Sequence, residues 1–377
     1  MRTDRHAGLL TLSLVFIFGF GALGSAQAQP LPSAAWSVVP SPKASAGNNL
    51  LNSVASVSAG DVWSVGSADD ANGNSHPLRE HWNGTAWTIV PGPTGFGVLK
   101  GVAAASSDAV WAVGQDFGGG MIEHWNGTAW SDVPNPGAGP GTTLNGVAAV
   151  SSKDVWTVGE ATATGTARTL IEHFDGNAWT VVPSPNASDR NNLLIAITAV
   201  SASDVWAVGD FQNGQNVFRT LIEHWDGTAW HIVPSPNGAG VQAGLLSVTA
   251  LSATNVWAAG DTGASTLVEH WNGTSWTVVP SPTPTGTQFN PLFGLAAVSE
   301  RNIWAVGQTQ NATTGSPTTL IEHWNGTTWT ITPSPNPGSQ ATLTAAAADR
   351  STGQTWAVGN FTEPFTGTQH PLTEFNP

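Results

Sequence analysis

Residues 205–209 read Val-Trp-Ala-Val-Gly, and residues 80–87 read Glu-His-Trp-Asn-Gly-Thr-Ala-Trp. The first phrase recurs around Trp63, Trp111, Trp156, Trp206, Trp257, Trp304 and Trp356, and the second stands between its copies. Strand-like content repeating at roughly fifty residues belongs to a radial array, above all a β-propeller. All 19 tryptophans fall on repeat positions. Seven carry the first phrase. Trp82, Trp125, Trp225, Trp271 and Trp324 open the Trp-Asn/Asp-Gly element, with Phe174 and Phe375 read as stand-ins. Trp36, Trp87, Trp130, Trp179, Trp230, Trp276 and Trp329 close it. These rings are expected to fill the space between blades, which leaves no Trp for a separate site.

Each repeat holds four strand-like runs, in the third copy Asn145 to Ser151, Val155 to Gly159, Leu170 to Phe174 and Ala178 to Pro183. The first run is built of small residues, as an innermost strand near the axis requires. The second is apolar on both faces, as a strand held between neighbouring blades must be. Asn-Gly between the third and fourth runs is a hairpin signal. The expected fold is all-β, a seven-bladed propeller of four-stranded blades in one domain over residues 29–377. Blades one to six are placed at 50–91, 99–134, 144–183, 193–234, 245–280 and 292–333. Blade seven combines 343–377 with an outer strand from 29–42, because the chain starts with a fourth run and stops after a third. That closes the ring without a free edge. An open solenoid, the competing architecture, would carry polar caps and no complementary half-repeats.

The two phrases resemble those of bacterial secreted β-propeller repeat proteins, distantly related to kelch and Asp-box propellers. The resemblance covers the whole mature chain. Asn-Gly-Thr-x-Trp is similar to the turn of an Asp-box, with Glu-His-Trp before it in place of Ser, and the kelch double glycine is absent. The resemblance implies the fold and no activity.

Arg2 and Arg5, an apolar stretch from Gly8 to Gly24, and Ala26-Gln27-Ala28 read as a signal peptide over residues 1–28, cleaved after Ala28. An uncleaved anchor is the alternative, but the run is short for a span. The chain is therefore expected to be secreted, extracellular or at the cell envelope, with no membrane contact after cleavage. Its 377 residues contain no Cys and carry a net charge of −14. A lysine-poor acidic chain lacks the footprint for nucleic acid or anionic lipid. A monomer without cofactor is expected.

Turn lengths separate two faces. From Trp82 to Trp87, and in every copy, the spacing is five, and the turn between runs one and two is nearly constant. The connections on the opposite face vary, notably at 67–78, 160–169, 210–220, 308–318 and 360–371. Variable loops over packed blades are where function is grafted. Phe96, Phe117, Phe211, Phe218, Phe289, Phe361 and Phe365 all lie there. The candidate ligand-binding residues are Phe117, Arg168, Phe211, Phe218, Arg219, Phe361 and Phe365. Arg168, Phe211, Phe218 and Arg219 are expected to form an apolar and cationic surface on blades three and four. The bland reading is that the rings plug the loops onto the blade tops.

Six copies carry Glu-His. Their His side chains are too far from the axis to converge on one ion, so no metal site is expected. Polar pairs within each blade are expected instead: Asp61 with His81, Asp154 with His173, Asp204 with His224, Asn255 with His270, and Asn302 with His323. Blade seven departs, with Gln354 at the Asp position and Glu374 read at the His position. Asn83, Asn126, Asn272 and Asn325 match a glycosylation acceptor, which turn chemistry explains more simply. No catalytic residue is assigned. Without Tyr or Cys, sialidase-like, radical and thiol schemes fall away, and no nucleophile elbow is present. The leading expectation is a non-catalytic module binding a protein or glycan through the variable face. The alternatives are a carbohydrate-active hydrolase or lyase with paired carboxylates near the channel mouth, and a purely structural module.

Overall fold

The computed structural model describes residues 35–137, 139–162 and 165–377; the signal peptide read over residues 1–28 lies outside them. Seven antiparallel sheets form the blades, and no helix occurs among the described residues. Blade four is typical, with Asn192–Ser201 innermost, then Asp204–Gln212, Phe218–Trp225 and the outer Trp230–Ile232. Blade six adds a short strand, Thr287–Phe289, against the far end of Asn302–Asn311. Ser37–Val38 pairs with Gln369–Asn376, so the outer strand of blade seven comes from the start of the chain. The Val39 amide extends the pairing to the Thr373 carbonyl at 2.9 Å.

Successive blades meet through the second-strand tryptophans. Trp206 stacks on His224 of its own blade at 4.1 Å between ring centroids. On its other side it meets Trp271 at 5.0 Å and the edge of Trp276 at 5.5 Å, both from blade five. Equivalent joints form at Trp63, Trp111, Trp156 and Trp257. At Trp304 the edge contact comes from Trp36, 5.3 Å away. Two positions in blade seven differ from the sequence reading. Phe375 pairs with Trp356 and stacks on it at 4.8 Å, so it occupies the His position rather than that of a third-strand Trp. Glu374, opposite Ala357, then takes the Glu position and not the His position. An apolar ring replaces the polar pair there, which is why Gln354 needs no His partner.

Each innermost strand carries a bulge near the variable face, between Leu194 and Ala196 in blade four. The motif glycine of the second strand faces it. A Cβ at Gly209 would lie 2.0 Å from the Leu193 carbonyl oxygen, so no other residue fits.

A second contact joins the blades and accounts for the glutamates of the repeat. Glu80, Glu123, Glu172, Glu223, Glu269, Glu322 and Glu374 are all fully buried. The Pro-Ser-Pro segment leaving each preceding blade supplies a hydroxyl donor to most of them. Ser41 donates to Glu80 at 2.6 Å, Ser184 to Glu223 at 2.8 Å and Ser235 to Glu269 at 2.8 Å. Ser281 and Ser334 serve Glu322 and Glu374, and the Gly137 amide serves Glu172 at 3.0 Å. Directly across the sheet from six of these carboxyls stands Val or Ile, such as Ile232 opposite Glu223. Burial pushes Glu223, Glu322 and Glu374 up to about 8, and Glu80, Glu172 and Glu269 up to about 7. The seam between blades one and two is different. Gly92 replaces Ser, Asp132 replaces the aliphatic, and the buried Arg79 pairs with Glu123. A Cβ at Gly92 would come within 2.6 Å of the Arg79 guanidinium carbon.

Three outcomes are expected. Trp36→Ala should destabilise the ring by about 3–5 kcal/mol, the usual range for a buried aromatic, and removal of residues 35–42 should cost more. A truncated protein melting like the parent would refute closure. The seam glutamates favour their protonated form in the folded ring, so their stabilisation is complete below the ordinary carboxylate range and is lost as pH rises through 7–8. Melting temperature should therefore fall between pH 5 and pH 9, and Glu223→Gln should flatten that profile. Gly92→Ser and Arg79→Ile should each destabilise by about 2–4 kcal/mol, through overpacking and a broken buried pair. Combined, they restore two of the three altered positions, with Asp132 still opposite Glu123, and a double-mutant cycle by denaturant unfolding should show positive coupling.

Candidate functional site

The two faces of the ring have different chemistry. On the fixed face each hairpin is locked by its own side chains. Asn83 Oδ1 accepts from the amides of Thr85 and Ala86 at 3.0 Å each, and Trp82 Nε1 donates to the Ala59 carbonyl at 3.2 Å. The Asn-Gly-Thr elements are therefore turn devices. His81, His173 and His224 reach Asp61, Asp154 and Asp204 at 2.8 Å, and His270 and His323 reach Asn255 and Asn302 at 3.0 Å. His124 has no such partner, since Ala109 stands where the acid would be; its Nε2 is buried and unbonded. Burial lowers the pKa of its ring, which stacks on Trp111 at 4.1 Å. Among the described residues no group of three or more His, Asp or Glu side chains is placed to hold a metal ion. Arg350, in the longer turn of blade seven, donates to the carbonyls of Ala297 and Ala250 in blades six and five. It thereby reaches across the fixed-face end of the axis.

The axis holds a cavity of about 450 Å³ lined by all seven innermost strands. The bulge residues give it two sides. Thr344, Asn52, Lys100 and Asn145 are polar, whereas Ile195, Leu246 and Phe293 are apolar. The polar ones tie blades together: Asn52 Nδ2 donates to the Leu99 carbonyl at 2.8 Å, and Lys100 Nζ to Asn145 Oδ1 at 3.2 Å. Asn145 Nδ2 in turn donates to Glu160 Oε2 at 2.6 Å.

Glu160, Asp210 and Asp261 occupy one repeat position, just after the motif glycine, in three consecutive blades. The ring therefore brings together acids that are 50 and 51 residues apart in sequence. Burial pushes Asp210 up to about 6, aided by the charges of Asp261 and Glu160. Burial likewise raises Asp261 and Glu160. Glu160 has Asn145 as a donor, and Asp261 Oδ1 accepts from the Gly263 amide at 2.6 Å. Asp210 Oδ1 is out of solvent without a donor. Asp210 and Asp261 share a pocket of about 350 Å³ between blades four and five with Phe218, Phe289 and Leu246. Leu246 also lines the axial cavity.

The residues read from the sequence do not gather at one place. Phe218 lines the pocket just described. Phe211 packs into the core between blades three and four, and Phe361 into the core of blades six and seven, so both plug loops rather than offer a surface. Arg168 is held by the carbonyls of Ser188 and Asp189, and Arg219 by that of Val241. Phe117 is 84% exposed and packs edge-on against Phe96 at 5.6 Å, beside His76. Phe365 is fully exposed at a hairpin tip, with φ at 83°. The pocket carboxylates were legible as a shared repeat column, a signal that reading each acid alone misses.

No family model matches the chain, and no curated protein matches it. Solved structures do. YCF48 bound to a D1 peptide superposes with a TM-score of 0.59 at 14% identity, over 92% of this chain and 98% of that one. YCF48 from Cyanidioschyzon merolae gives 0.57 at 14% identity, over 91% and 99%. The WD40 repeats of RRP9 give 0.60 at 10% identity, over 92% and 99%. At these identities the likeness shows the propeller fold alone.

Proposed function

We propose that this chain is a secreted, non-catalytic propeller that docks a segment of a partner protein on its variable face. One observation carries the reading. The fixed face is a repeated set of self-satisfied turns, whereas the loops of the opposite face present Phe96, Phe117, Val241 and Phe365 to solvent. Exposed apolar groups on loops that the packed blades do not constrain fit a protein partner. YCF48, a ring of the same fold, has been solved with a D1 peptide bound. The signal-like residues before Ala28 and the resemblance to secreted repeat proteins support an extracellular or envelope location. A monomer needs no second ring to complete this face.

The shared pocket of Asp210 and Asp261, with Asp210 pushed up to about 6, favours a second reading, a carboxylate-pair glycoside hydrolase. Release of chromophore from aryl glycosides, lost in Asp210→Asn, would establish it over the docking reading.

Peptides selected from a random display library against the intact ring should protect backbone amides in residues 67–78, 160–169, 210–220, 308–318 and 360–371 from hydrogen exchange. Phe117→Ala and Phe365→Ala should weaken such peptides by about tenfold or less with little change in melting temperature, because both lie outside the Trp joints. Protection confined to the Asn-Gly-Thr turns would overturn the assignment of faces.

A further inference from the structure

Resting on the docking reading of the variable face, we propose that the pocket between blades four and five receives an aliphatic side chain ending in a cation, a lysine or arginine of the docked segment. Its volume of about 350 Å³ suits one long side chain. Phe218, Phe289 and Leu246 offer apolar walls for a methylene stem. Two carboxylates wait at the same place, and aromatic faces beside them favour a cation further. Among the described residues no Lys or Arg forms an ion pair with either of them. Arg168 and Arg219 are spent on carbonyls of their own loops. Lys100 bonds Asn145 and faces Glu160, and Arg79 belongs to the seam with Glu123.

Asp210 lines the pocket beside Asp261, and its Oδ1 has no hydrogen-bond donor, so a cation held in the pocket supplies a counter-charge that the described residues do not. An anion would add to the repulsion among Asp210, Asp261 and Glu160. A wholly apolar side chain would fill the walls and leave both carboxylates without a counter-charge. The titratable groups facing Asp210 are Asp261 from blade five and Glu160 from blade three, the latter paired with Lys100. Binding should accordingly weaken as pH falls below about 6, where Asp210 takes up a proton.

Ligand-observed NMR titration of the intact ring tests this with the blocked tripeptides acetyl-Gly-Lys-Gly-amide, acetyl-Gly-Arg-Gly-amide and acetyl-Gly-norleucine-Gly-amide, and with methyl β-glucoside. The lysine and arginine probes should bind, and norleucine, which has the stem without the charge, should bind at least tenfold more weakly. Asp210→Asn combined with Asp261→Asn should reduce lysine binding tenfold or more, while Asp189→Asn leaves it unchanged. The double variant should melt at or above the parent temperature, since it relieves repulsion; a merely structural pair would lower it. Lysine binding should also be weaker at pH 5 than at pH 7.5. Equal binding of norleucine or of the glucoside, or lysine binding that survives the double variant, would overturn the proposal. If the lysine probe fails while displayed peptides still protect the variable loops, the pocket assignment falls and docking stands. If neither binds, docking itself falls.

Discussion

The ring depends on the contact between a second-strand Trp and the paired rings of the next blade. Each such Trp is sandwiched, with its own His or Phe on one side and its neighbour's aromatic edge on the other. No blade can bury this face alone, so the requirement passes from blade to blade and is met only when the circle closes. Trp36 discharges it for Trp304. The same requirement fixes the short turns on one face, because they anchor the indole N–H groups of the third strands. The opposite face is free of that duty.

The glutamate seam adds a polar clasp where an apolar one would be expected. A buried carboxyl facing a hydroxyl is tolerable when it holds its proton, and the Val or Ile across the sheet keeps water from competing. Blade two shows the other solution to the same problem. There Asp132 takes the aliphatic place, and Arg79 supplies Glu123 with a counter-charge in space vacated by Gly92. Three residues on two blades change together, as a buried charge demands.

Blade number, strand order and closure were legible because the Trp and Gly positions recur with rigid spacing and each has a packing reason. The chain end was misread because Glu-Phe-Asn admits two alignments, and only the pairing of Phe375 with Trp356 decides between them. The seam serines were visible as Pro-Ser-Pro but carried no meaning until the ring set Ser184 against Glu223 of the following blade. The acidic pocket shows in the sequence only as a column of acids after the motif glycine. Asp210 and Asp261 belong to different repeats, and their mutual repulsion exists only once adjacent blades set them side by side. Conversely, Phe211 and Arg219 looked available in sequence because loop residues are exposed on average, but these two are committed to core and backbone contacts.

The inner-strand bulges separate two kinds of inheritance. Ladder residues on either side of each bulge answer to the sheet, and the motif glycine answers to the bulge itself. The residue at the bulge answers to neither. Asn52, Lys100, Asn145, Ile195, Leu246, Phe293 and Thr344 accordingly range over amide, cation, hydroxyl, aliphatic and aromatic side chains, although the strands that carry them are near copies. The lining of the axis can thus be rewritten one blade at a time, so rings that share every packing motif with this one can differ wholly in what their centres accept.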